Sequence, residues 1–78
     1  MLRYSRHAKR RMALYALSEE DIAYVVGEGK REDLAQPGRM SFTSYLAARS
    51  QYPIKVVGLE QGKDLLIITA YPLKKGRS

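Results

Sequence analysis

The chain has no cysteine and no tryptophan, one histidine and one phenylalanine among its 78 residues. Without cysteine neither disulfides nor thiolate metal sites can supplement the core, and a lone histidine has no companion for a histidine-based metal site. No apolar run approaches the roughly 20 residues that span a bilayer, and the first residues lack the apolar centre of a secretory signal. The expectation is a soluble, cytoplasmic protein. Gly-rich phosphate loops, nucleophile elbows and zinc spacings are also absent. Acids are missing from residues 1–17, which hold Arg3, Arg6, Lys9, Arg10 and Arg11.

A chain this short forms one domain, residues 1–78, near the lower limit for a single core, and its 45% apolar residues must suffice. The net charge of +6 is spread in blocks: the cationic start, then Glu19, Glu20, Asp21, Glu28, Glu32 and Asp33 against Lys30 and Arg31, then a cationic second half. Such alternation predicts separate faces, one of them suited to a polyanion.

Periodicity places these blocks on elements. Ser5 is a candidate N-cap, and Ala8, Met12, Tyr15 and Ala16 recur at helical spacing, so a first helix is expected over about residues 6–16. His7, Arg10, Arg11 and Leu14 then share one flank, with Arg6 and Lys9 farther round. SEED, from Ser18, signals a second helix with a capping-box pattern and acids at the positive end of its dipole, ending at Gly27 or Gly29. Pro37 and Gly38 suit the centre of a type II turn. Met40, Phe42 and Leu46 alternate with Arg39, Ser41, Thr43 and Tyr45, predicting a half-buried strand. IKVVGLEQGKDLLIITAY predicts two further strands around Gln61, Gly62 and Lys63, the last apolar on both faces and therefore central. A short strand over Arg31 to Leu34 would make four. The expected fold is α+β, with two N-terminal helices on a three- to four-stranded antiparallel sheet and a basic tail, residues 74–78, frayed.

Cations in a first helical turn oppose the macrodipole by about 0.3–1 kcal/mol each. Either carboxylates of the second helix, such as Glu19 or Glu20, engage Arg10 and Arg11, or the cluster serves a phosphate, which guanidinium groups grip in a bidentate manner. His7 is the default general acid or base, since histidine alone ordinarily titrates near neutrality; the plain alternative is a surface histidine bonded to a neighbour. Tyr45 stands where an RNA-binding sheet would expose an aromatic, and Tyr71 either closes the core or presents its hydroxyl at the rim.

RHAKRRM followed by LSEEDIAYVV, then GRMSF and a strand closing on ITAYPL, resembles a small prokaryotic family of unknown function grouped with BrnT-like and RelE/ParE-like toxins. The resemblance covers nearly the whole chain. It implies a RelE/BrnT-toxin-like fold, a cognate antitoxin, RNA as substrate with a ribosome-associated target as one form of it, and metal-independent cleavage by attack of the 2′-hydroxyl. It carries over His7, Arg10 or Arg11, Arg39 and Tyr71. LYALS departs from the pattern, which has glycine before the second helix. On this reading His7, Arg11, Arg39 and Tyr71 are catalytic, and Arg3, Arg6, Lys9, Arg10, Tyr45, Lys74 and Lys75 hold nucleic acid. No cofactor is expected. Homodimerisation through exposed strand edges is open. The alternative is a non-catalytic module that binds nucleic acid or a protein partner.

Overall fold

The computed structural model describes residues 1–46 and 52–73. The elements are β1 (Leu2–Tyr4), α1 (Arg6–Leu14), α2 (Glu19–Glu28), β2 (Lys30–Asp33), β3 (Arg39–Ser44), β4 (Ile54–Gln61) and β5 (Asp64–Pro72). The strands form one sheet in the order β1-β5-β4-β3-β2. This is α+β as expected, but the sheet is mixed and five-stranded rather than three- or four-stranded and antiparallel. The difference is β1, which pairs in parallel with β5, Leu2 opposite Leu65 and Tyr4 opposite Ile67. Three residues are too few to show an alternation, and the pairing is set by a partner about sixty residues away.

Both helices start where the sequence signals them. The Ser5 hydroxyl accepts from the Ala8 amide at 3.0 Å and donates to the Ile68 carbonyl at 3.1 Å. It thus caps α1 and also fastens it to β5 beside the irregularity where Val57 pairs with Thr69 but Gly58 with Ile67, leaving Ile68 as the extra residue. Ser18 and Asp21 complete a reciprocal capping box on α2.

α1 stops at Leu14, two residues earlier than its periodicity predicts. Ala16 adopts φ +56°, its amide bonds the Ala13 carbonyl, and the Leu17 amide reaches back to the Met12 carbonyl at 2.7 Å. That pair of bonds is a Schellman motif, closed by the buried Leu17 and Met12. Its left-handed position ordinarily falls to glycine, which is the physical content of the departure at LYALS.

α2 ends against β3. A side chain at Gly29 would run into the Val25 carbonyl and approach the Thr43 carbonyl oxygen to 2.8 Å, so the helix can meet the strand this closely only without a Cβ. The turn before β3 matches its expected type: Gly38 has φ +77° and the Arg39 amide donates to the Gln36 carbonyl at 3.1 Å.

The core lies between the helices and one sheet face. Ala8 and Met12 of α1, Leu17, and Ile22 and Val25 of α2 pack with Met40, Phe42, Val56, Ile67 and Ala70. Strand alternation sends Arg3, Arg39, Ser41, Thr43, Lys55, Val57, Leu59, Leu66 and Tyr71 to the opposite face. Among the described residues no helix is long and apolar enough to cross a membrane.

Candidate nucleic-acid interface

α1 turns Ala8 and Met12 inward, and its charges follow from the remaining angles. Arg6, His7, Lys9 and Arg10 are exposed and Arg11 is half-buried on the flank. The ion pairs seen between described residues are Met1 with Asp64, 3.8 Å, and Arg31 with Asp33, 3.2 Å. Among the described residues, none of the α1 cations joins a carboxylate. Glu19 instead lies near Tyr4, where its charge and, more strongly, burial push the phenol above its usual 10.0. The engagement of Arg10 and Arg11 by Glu19 or Glu20, weighed from sequence, does not form.

His7 and Arg11 do meet. Arg11 Nε donates to His7 Nε2 at 3.4 Å, one helical turn away. Nε2 is the acceptor in this contact, so a substrate can reach that nitrogen only if the contact opens, while Nδ1 is not engaged by it. Leu14, on the same flank, is 65% exposed.

The other candidates lie elsewhere. Arg39 and Tyr71 stand on the sheet face away from α1, so no hollow holds them with His7. They are also apart from each other: Arg39 pairs with Leu59 and Tyr71 with Lys55, two strands and four residues away, about 13 Å along the strands and about 10 Å across. Of the four residues assigned to catalysis, only His7 and Arg11 come together. Arg3 faces the same way as Arg39, and so is not part of the α1 surface. Tyr45 lies one residue beyond β3 and is 56% exposed, near no residue of α1 that the structure pairs with it. Lys74 and Lys75 fall outside the described residues.

A family profile described as a domain of unknown function (DUF4258) matches residues 4–72. The chain belongs to this family. Searches of curated proteins and of solved structures returned no match. The DUF4258 span takes in α1, both caps and the sheet from Tyr4 to Pro72, so the basic helix is part of the domain itself rather than an appendage.

Two adjoining hollows in this DUF4258 domain were not foreseen. One of ≈ 300 Å³ lies by the β2–β3 turn, and one of ≈ 270 Å³ lies over Leu2, Val26, Phe42 and Leu65; both touch Arg31, Met40 and Glu60. They occupy the end of the core face that the helices leave uncovered. Only side-chain volumes placed by the finished fold reveal such a gap. Arg39 lines the first, and His7, Arg11 and Tyr71 line neither.

Proposed function

We propose that this domain binds RNA through α1, with Arg6, Lys9 and Arg10 gripping phosphates and Arg11 and His7 at the flank. The observation that carries this is a helix whose exposed cations have no acidic partner among the described residues and no acid in the first turn, while α2 has three acids there. Each first-turn cation costs the helix about 0.3–1 kcal/mol, and an external polyanion would offset that cost. Aromatic stacking plays a small part, since Tyr45 and Tyr71 lie away from the helix. The test is fluorescence anisotropy of a labelled single-stranded RNA: Arg6→Glu with Arg10→Glu is expected to weaken binding at least about tenfold, by loss of two phosphate contacts and two added repulsions. Arg39→Glu should leave it within about twofold, because that side chain is on the other face.

A second reading is the toxin-like, metal-independent endoribonuclease of a toxin–antitoxin pair, in the RelE/BrnT-like manner. The His7–Arg11 contact favours it, because an imidazole beside a guanidinium joins a proton carrier to a phosphate ligand. In this form Arg39 and Tyr71 are not part of the site: the 2′-hydroxyl would attack the adjacent phosphate as its proton passes to His7, and the bond from phosphorus to the 5′-oxygen would break as His7 returns a proton to that oxygen, leaving a 2′,3′-cyclic phosphate. Equal RNA cleavage by the wild type and His7→Ala would remove His7 from that chemistry, and absence of cleavage by both would remove the enzyme while leaving the binding reading intact.

A further inference from the structure

The sheet face that the helices leave bare has its own order. Arg39 pairs with Leu59, Leu59 with Leu66, and Leu66 with Arg3, so these four side chains form one row across four strands. The next row centres on Ser41 and Val57, and the third on Thr43 and Lys55. Val57, Leu59 and Leu66 are half-buried and take no part in the core cluster. In the Arg39–Arg3 row the centre is aliphatic and the ends are cationic; the acids on the same face are Glu32, opposite Ser41, and Asp64, two residues from Leu66 and paired with the Met1 amino group at 3.8 Å.

Two polar atoms on this face lack partners. Arg39 Nε and Ser41 Oγ are both buried without a hydrogen bond, and Ser41 is 1% exposed. Native proteins rarely leave such groups unpaired; Nε itself is out of reach of an arriving group, and a carboxylate would meet the guanidinium at its terminal nitrogens.

We infer that this face docks an acidic amphipathic helix of another protein, its aliphatic side chains on Leu59 and Leu66 and its carboxylates on Arg39 and Arg3. Nucleic acid fits less well, because bases stack on aromatic platforms, the row between the two arginines is aliphatic, and Tyr71, the aromatic of this face, stands in the third row away from it. A second copy using the same face would bring its own Arg3, Arg39 and Lys55, with Glu32 and an already paired Asp64 as the acids to meet them. The chain's own final residues, KKGRS, are basic and offer no complement. A helix fits in size. Three interstrand gaps of about 4.8 Å put Arg3 about 14 Å from Arg39, which about nine or ten helical residues cover. The partner then carries acids at that separation with an apolar pair between them. This surface is separate from α1 and does not depend on RNA binding there.

The probe is a labelled synthetic alanine-based helix with glutamates at that spacing around two leucines, compared with a scrambled peptide of identical composition, both followed by anisotropy. The amphipathic peptide is expected to bind at least about tenfold more tightly than the scrambled one. Arg39→Glu and, separately, Arg3→Glu should each weaken it about tenfold, as reversal of a rim charge beside an apolar anchor does. Arg3→Glu, at the other end of the row, keeps the test sound if Arg39→Glu disturbs the neighbouring turn, and far-UV circular dichroism reports whether each variant is folded. Arg10→Glu should leave peptide binding within about twofold, and it is the variant that weakens RNA binding. Equal affinity for the two peptides, indifference to both reversals, loss of peptide binding with Arg10→Glu, or displacement of the peptide by RNA in the wild type would each overturn the inference.

Discussion

Ala16 shows how one residue can reveal a local conflict. A side chain at φ +56° costs about 1–2 kcal/mol relative to the right-handed region, and glycine returns about 0.5–1 kcal/mol of that through its freer unfolded state. Ala16→Gly should therefore stabilise the domain by about 0.5–1 kcal/mol, a Tm rise of about 2–8 °C in a chain of this size. A fall in Tm would mean that the Schellman turn is not formed as described. Tyr4 makes a second prediction at this scale. Its folded phenol loses its proton at higher pH than the unfolded one, so its contribution is complete below 10.0 and is lost as pH rises from there through the folded value. Tyr4→Phe keeps the ring and removes that ionisation. Denaturant midpoints should then fall less steeply above 10.0 than in the wild type, and identical slopes would remove Tyr4 from the alkaline limb.

Elements were legible where the signal is local. The capping box at Ser18, the Pro37–Gly38 turn and the alternation through Phe42 all depend on neighbours within a few residues, and each forms where the sequence places it. β1 was not legible, because its strand character comes from β5. The junction of α1 with β5 belongs to the same class of information. Ser5 reads from sequence as a cap, but its second bond, to the Ile68 carbonyl, exists only because the sheet has an extra residue there. Ser5→Ala should cost about 1–2 kcal/mol, more than a cap alone on an isolated helix, with the loss read from urea midpoints. A cost near zero would show that neither bond matters. The edge strand β2, Lys-Arg-Glu-Asp, is exposed throughout. An antiparallel two-fold pairing must match residues of one face. It therefore sets Arg31 on Arg31 with Lys30 opposite Glu32 on both sides, or Glu32 on Glu32 with Arg31 opposite Asp33 on both sides, so like charges meet only at the axis and the charge pattern does not bar this edge from pairing.

At the scale of the molecule, the sheet separates two charged surfaces that the sequence reads as one. Helical geometry alone was enough to gather Arg6, Lys9, Arg10 and Arg11 with His7, and these do lie together on α1. What periodicity cannot say is which sheet face the helices cover. They cover the apolar one, as burial of Ile22, Val25, Met12 and Ala8 requires, and that sends Arg39, Tyr71 and Arg3 to the far side. A site joining His7 to Arg39 is thereby replaced by a basic surface on α1 and a second sheet face, with Arg3 and Arg39 at the ends of one row, behind it.

The most direct measurement of the central claim is the salt dependence of RNA binding, taken on the wild type and on Arg6→Glu with Arg10→Glu. Three or four phosphate contacts by the α1 cations predict that log K falls with log salt at a slope of about −2 to −3, and that the double reversal flattens the slope by about 1 or more. A slope near zero, or one that the α1 reversals leave unchanged, would contradict the account.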